Sequence, residues 1–400
     1  MGMIKKILLL TAKVFATILL LLLLAICVTG VSPIYDFAEP KPFAGDDIFN
    51  PYASFDASQG WKRANFHTHT KVEGIFNECD HTPAEVDKML RAFGYDIVTF
   101  SNHNALTRHP YSEELQVNLY EHGYNLFKFH KLVFGAKQEM RFDHLLPILA
   151  SQKQFQLNLL GAQSDFLQLS HPLRTHTMDA RTMQQLTGYQ IVELDSGRST
   201  ENEYWDEALS AGQYSFGLAN DDLHYPDRSH CIAIRCNFLC TPSARYEDIR
   251  TTLLNGCYYS MRVPDYGRGD WSVKYAKNRT LPRIENIGLQ EDKIYISLSQ
   301  PADSIKVTGQ GHATLCVGYN TDSLGYTLKA DDPYARFTAY FHEGEVIWSN
   351  PFARYDAEKE SMPTTTRPHE INITFSILFN LMIIALCAGL VVMLYKIFRR

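Results

Sequence analysis

No block of lysine or arginine lies between the two ends of this 400-residue chain, and its formal net charge is -6. The basic footprint of a nucleic-acid binder is missing, so no polyanionic partner is expected. None of the eight cysteines stands in a CxxC spacing. The six outside the apolar ends (Cys79, Cys231, Cys236, Cys240, Cys257 and Cys316) are expected as buried free thiols, although export would allow some of them to oxidise. There is no internal repeat and no low-complexity tract. With 45% hydrophobic and 20% charged residues, disorder is not an option, and the length suits one large domain plus a smaller one.

Long apolar runs are present, one at each end. Val14 to Val31 follows Lys5, Lys6 and Lys13, and Ile373 to Tyr395 precedes Lys396, Arg399 and Arg400. Each is near the roughly 20 residues that span a bilayer. Because the positive charges flank the outer side of each run, the positive-inside rule predicts a two-span membrane protein: both termini are cytoplasmic and the middle of the chain is extracytoplasmic, periplasmic or outer. A cleaved signal peptide is the alternative for the first run. A lipoprotein site at Cys27 fits poorly, since Ile26 stands where a small residue is wanted.

The predicted organisation is an N-terminal anchor (1–31), a juxtamembrane arm (32–59), a large α/β region (60–283), a small antiparallel β domain of sandwich-like character (284–357), a linker (358–372) and a C-terminal membrane helix (373–396). In HTPAEVDKMLRAFG, Val86, Met89, Leu90 and Phe93 share a helical face, with Thr82 as N-cap, Pro83 at the first turn and Gly94 past the end. Short continuous apolar strands alternate with helices over 60–283. That pattern predicts parallel strands covered on both faces, as a barrel or wound sheet. His312 and His342 in the later region carry no chemical signal.

Strand ends hold the ionisable residues. His67 and His69 follow KRANF, His103 ends YDIVTFSN, Glu139 ends KLVFGAKQ, His171 ends DFLQLS, and Asp222 and His224 end YSFGLAND. If the strands run parallel, their carboxyl ends open on one face and these groups converge there. Any one motif is weak; five strand ends offering imidazole or carboxylate are hard to explain as loop polarity, because unpaired buried groups of this kind are costly without a cation.

FHTHT, DHTPAEV, GYDIVTFSNHN, GAKQEM, LSHP and ANDDLH, in this order, resemble the polymerase and histidinol phosphatase (PHP) family of metal-dependent phosphoesterases over most of 60–283. The resemblance implies an α/β fold, a distorted (β/α)7 barrel binding two or three divalent metal ions (Zn, Mn or Fe). It assigns the first ion to His67, His69, Glu139 and Asp222, with Glu139 bridging to a second ion completed by His144 and His171. A third would take His103, His224 and Asp80, with Glu73 competing for the acid's place. Asn102 stands where many relatives have Asp. Asp221 is a weaker alternative to Asp222.

The implied activity is hydrolysis of a phosphate ester by a hydroxide held between paired ions, with Glu139 and Asp222 at the catalytic centre. Arg174 and Arg198 either supply a positive fork to the phosphate or form surface ion pairs. The expected partners are the membrane and a small phosphorylated substrate such as an envelope glycan or lipid head group, with no nucleic acid. The alternatives are a two-metal hydrolase of amide or acyl bonds, and a metal-stabilised envelope-binding module.

Overall fold

The computed structural model describes residues 2–73, 77–197, 202–363 and 369–399. Fifteen strands build the two main sheets with one short strand from the arm. Those that frame the site are β1 (Lys62–Asn65), β2 (Ile97–Val98), β3 (Leu119–His122), β4 (Lys131–Phe134), β5 (Phe166–Leu169), β6 (Ile191–Asp195) and β7 (Phe216–Ala219). They are followed by β8 (Arg235–Leu239), β9 (Tyr258–Arg262), β10 (Ile284–Gln290), β11 (Lys293–Gly309), β12 (Thr314–Thr327), β13 (Tyr334–Tyr340), β14 (Val346–Ser349) and β15 (Phe352–Tyr355).

One sheet has five strands in the order β3-β4-β5-β6-β7. The other has eleven, and its path runs from β10 through β11, β13, β14, β9 and β8 to β1 and β2. The strands after residue 284 therefore hydrogen-bond into the same sheet as β1 and β2, through the antiparallel pairing of β14 with β9. The arm joins too, where Asp47–Phe49 pairs with β15.

The expected closed (β/α)7 barrel is not what forms: among the described residues no sheet closes. The edges of the two sheets instead meet through isolated parallel bridges, Thr68 to Leu223 and His103 to Glu121. The short edge strands explain this. β2 has two residues and pairs with β1 at only two positions, so no continuous ladder crosses from it to β3, and the seam between β1 and β7 is likewise a single bridge beyond the strand ends.

Strand direction matters for the site. β1 and β2 are parallel, as are β5, β6 and β7, whereas β4 is antiparallel to both neighbours, β3 and β5. β4 alone among β1 to β7 begins, rather than ends, at the face where the bridges lie.

Helices cover the sheets. α1 (Gly2–Thr29) opens the chain, and α2 (Pro83–Ala92) follows β1. Thr82 is the N-cap, as expected, and the structure adds a capping box: Glu85 N–H donates to Thr82 Oγ1 at 3.3 Å, and Thr82 N–H donates to Glu85 Oε2 at 2.7 Å. This satisfies two otherwise orphaned donors. Val86, Leu90 and Phe93 are buried, and Gly94 follows at φ 83°, where glycine escapes the β-carbon penalty. α3 (Ala150–Gly161) packs on β5. The core under the five-stranded sheet includes Phe134 stacked on Phe166 at 4.5 Å and a fully buried Trp205. All eight cysteines are free thiols.

Gly2–Thr29 and the last helix, Ile373–Arg399, are each long and apolar enough to cross a membrane. They meet where the chain leaves them: Asn380 Nδ2 donates to Ser32 O at 3.0 Å, and Asn380 Oδ1 accepts from Ser32 N–H at 3.2 Å. The globular part docks on the same point, with Gln152 Nε2 donating to Gly30 O at 3.1 Å.

Candidate metal centre

Glu121 sits in β3, in a strand whose four residues are all buried. Its Oε2 faces His67 Nε2 at 3.1 Å, His69 Nε2 at 3.3 Å and His103 Nε2 at 3.1 Å. Its Oε1 faces His130 Nδ1 at 3.0 Å and His171 Nε2 at 3.1 Å. One carboxylate thus divides two sets of imidazoles. Asp222 closes the first set, with Oδ1 at 3.2 Å from His67 Nε2, 3.3 Å from His69 Nε2 and 3.1 Å from His224 Nε2. Glu78 Oε2 lies 3.0 Å from His103 Nε2.

Two of the buried donor atoms are not satisfied by their neighbours, although His171 Nε2 is hydrogen-bonded to Glu121 Oε1. His67 Nε2 and His69 Nε2 are close to carboxylate oxygens yet make no hydrogen bond. Donor atoms about 2.0–2.2 Å from a shared cation stand roughly 3 Å apart, which is the spacing seen here. Donor atoms of His67, His69, Glu121 and Asp222 all lie within 4.8 Å of one another, as do those of His69, Glu78 and His103 and those of His103, Glu121 and His130. Imidazole mixed with carboxylate is a donor set for divalent cations. The residues fit such ions.

Charge follows the same arrangement. Burial alone would raise the Glu121 carboxyl, but the imidazoles of His103, His67 and His130 outweigh it and hold it well below the usual carboxylate range. Asp222, equally buried, is held low by His67 and His224. Burial lowers His130 to about 4 and lowers His224 as well. His67 and His69 go the other way: the carboxylates of Glu121 and Asp222 outweigh burial and raise both, His69 to about 9, so a cation entering between them would displace their protons and take over the pairing with the carboxylates.

A supporting layer orients the ligands. Glu193, wholly buried in β6, accepts from His171 N–H at 2.8 Å and Asn220 Nδ2 at 3.1 Å, and places Oε1 3.0 Å from His67 Nδ1. It thereby fixes the His67 tautomer and leaves Nε2 free for the cluster. Asp221 points away and accepts the backbone N–H groups of Ala233, Ile234 and Arg235 at 2.7–3.0 Å. Asn102 braces two loops, accepting from Thr70 N–H at 2.7 Å and donating to Thr70 Oγ1 at 2.7 Å and Thr107 Oγ1 at 2.6 Å. Its amide is committed to these loops and so does not tune His103.

Of the residues picked out by sequence, the structure brings His67, His69, His103, His171, Asp222 and His224 together. It does not bring Glu139, His144 or Asp80 to the cluster. Glu139 accepts from Leu106 N–H at 3.0 Å, and His144 Nδ1 is hydrogen-bonded to Thr29 O at the end of α1. Both follow β4, which runs backwards relative to its neighbours, so its far end lies away from the site. Glu121 and His130 flank the near end and occupy the places assigned to Glu139 and His144. Asp80 is exposed on the cavity wall, and Glu78 stands beside His103 instead. Glu73 is exposed and belongs to no ligand group.

Sequence reasoning missed Glu78, Glu121, His130 and Glu193. The available signal was an acid inside a short apolar strand, as in LYEH and IVELD.

Arg174 ion-pairs with Asp222 Oδ2 and lines a cavity of about 590 Å³ together with Glu78, His103, Glu121, His130, His171, Asp222 and His224. Arg198 lies outside the described residues.

No protein-family model matches the chain, and no curated protein matches it. Among solved structures it is similar to the crystal structure of a two-domain protein containing a predicted PHP-like metal-dependent phosphoesterase from Bacteroides vulgatus. Identity is 15% over 80% of this chain and 91% of that one, with a TM-score of 0.37. A superposition that loose does not establish a shared fold.

Proposed function

We propose that this chain is a metal-dependent phosphoesterase tethered to a membrane at both ends. One observation carries the reading: Glu121 turns its two oxygens toward two separate sets of imidazoles, while the buried His67 Nε2 and His69 Nε2 remain without hydrogen bonds. The resemblance of FHTHT, TFSNHN, LSHP and ANDDLH to the PHP family agrees with it.

His67, His69, Asp222 and Glu121 would hold one ion, Glu121, His130 and His171 a second, and Glu78, His103 and His224 a third. Zn, Mn and Fe all suit these donors. When bound, such ions supply an activated water and neutralise phosphoryl charge. In the reaction, water oxygen bonds to phosphorus, the bond to the ester oxygen breaks, and the alcohol leaves with one proton of the water. Glu193 keeps His67 in one tautomer through this cycle, and Arg174 balances the Asp222 oxygen that faces away from the imidazoles.

The flanking charges support both termini in the cytoplasm and the site on the outer side. A small phosphorylated envelope component, a glycan or a lipid head group, is the corresponding substrate class. Metal analysis of the purified full-length protein, followed by hydrolysis of phosphomonoester, phosphodiester and amide probes, tests the activity. Ester hydrolysis that stops on chelation and returns with metal supports the reading; a metal-loaded protein inert toward both esters contradicts it. Reporters fused at either terminus should remain cytoplasmic.

A further inference from the structure

Asn104, Lys128, His171 and Asp222 all adopt left-handed backbone, with φ of 48°, 57°, 30° and 48°. A β-carbon is crowded there and glycine is favoured. His171 and Asp222 belong to the ligand cluster, which accounts for their strain. Lys128 belongs to no ligand group, yet it lines the same cavity.

Its backbone is pinned. Lys128 N–H donates to Asn125 O at 3.3 Å, and its carbonyl accepts from His130 N–H at 3.0 Å and Thr175 Oγ1 at 2.9 Å. Asn125 Oδ1 accepts from Phe129 N–H at 2.8 Å, and Asp143 Oδ2 accepts from the N–H groups of Tyr124 and Asn125 at 2.7 and 3.0 Å. A glycine would enter this turn more readily than lysine does. The side chain is what glycine would lack.

That side chain is a cation to spare. Arg174 already pairs with Asp222, and Arg228, also on the wall, lies over the Tyr225 ring at 4.1 Å. Lys128 is exposed to the cavity and has no side-chain hydrogen bond or ion pair among the described residues. Asp80 and Asp227 on the same wall add negative charge, so an incoming anion needs a positive partner here. A phosphomonoester presents three non-bridging oxygens and up to about two negative charges, one oxygen and about one charge more than a diester.

We infer that Lys128 is a substrate-binding residue that takes a non-bridging oxygen of a phosphomonoester, and that the pocket prefers monoesters to diesters. This rests on the phosphoesterase reading above. A point charge on a flexible stem suits the extra oxygen.

The test compares full-length wild type, Lys128→Gly and Lys128→Arg in detergent, by thermal unfolding, hydrolysis of nitrophenyl phosphate and bis(nitrophenyl) phosphate, and calorimetric binding of inorganic phosphate. Lys128→Gly should melt no lower than wild type, because glycine relieves the strain. Its kcat/KM on the monoester should fall about 10- to 100-fold, the loss expected for one charged hydrogen bond, with at most about a threefold fall on the diester. Phosphate affinity should weaken in parallel, and Lys128→Arg should recover most of both. Equal losses on the two esters, or unchanged monoester hydrolysis and phosphate binding, would overturn the proposal. If wild type hydrolyses neither ester, the phosphoesterase reading fails on its own. Phosphate calorimetry then decides for Lys128: weaker binding by Lys128→Gly upholds an anion site, and unchanged binding removes it.

Discussion

The chain presents two successive Glu–His pairs, Glu121 with His130 and Glu139 with His144, on either side of β4, and they serve different purposes. The first pair frames the near end of the β3–β4 hairpin, with Lys131 opposite His122 and Glu121 bridged to His103. The second lies beyond the far end, where Glu139 receives a backbone N–H and His144 anchors the globular part to the end of α1. The residue types are the same; strand direction separates chemistry from support. A ligand-rich sequence therefore fixes a site only when the direction of every strand is known.

The sharpest way to break this contrast is a pair of charge removals. Glu121→Gln should reduce hydrolysis about a thousandfold or more, since each factor of ten is about 1.4 kcal/mol of barrier and an amide loses several kcal/mol of attraction to two cations. Glu139→Gln should remain within about twofold of wild type. Steady-state rates on one ester at matched folded concentration check both.

The histidines should divide in the same way. His130→Ala should cost about a hundredfold in rate, whereas His144→Ala should keep its rate per folded molecule. The latter should lose about 1 kcal/mol of stability, because Thr29 O, part-buried at the end of α1, would lose its donor. Rate and thermal unfolding, measured on both variants, would merge the two regions if His144→Ala proved the less active.

Within the first region, His103→Ala should be milder than His67→Ala. His103 reaches Glu78, itself partly exposed, as well as Glu121, while His67 is enclosed by Glu121, Glu193 and Asp222. About a tenfold loss with about one ion released is expected for His103→Ala, against near-complete loss for His67→Ala.

The smallest effect belongs to the supporting region. Lys153 in α3 is buried, donates to Ile148 O at 3.2 Å, and is pushed down by burial from 10.5 to about 8. Between about pH 8 and 10.5 the unfolded chain therefore binds more protons at this residue than the folded one, so stability rises with pH across that window. Below about pH 8 both states are protonated and the full burial cost applies. Raising pH from 7 to 9.5 should add up to about 2 kcal/mol at this residue, by linkage at about 1.4 kcal/mol per pKa unit. Lys153→Met should flatten the rise in unfolding free energy, which chemical denaturation at the two pH values would reveal.

Much of this was legible in the sequence. Thr82, Pro83 and Gly94 marked α2 because capping chemistry is local. His67, His69, His103, His171, Asp222 and His224 were visible because each follows a strand that ends at the site. Glu121 and His130 were not: NLYEH is too short and too polar to stand out as a strand, and the reversal of β4 depends on pairing with β3 and β5 rather than on local pattern. Nor was the sheet arrangement, since whether two-residue edge strands close a barrel is decided by tertiary register rather than by local pattern. Glu193 was hidden for a related reason, as an acid within an apolar strand reads as an exception until its partners are known.

Which glutamate divides the imidazoles decides where the metal centre lies. Elemental analysis of purified full-length wild type, Glu121→Gln and Glu139→Gln, each loaded and desalted identically, addresses it directly. Wild type and Glu139→Gln should carry the same metal content, while Glu121→Gln should lose at least one ion per chain. Full metal content in Glu121→Gln, or loss in Glu139→Gln instead, would contradict the assignment.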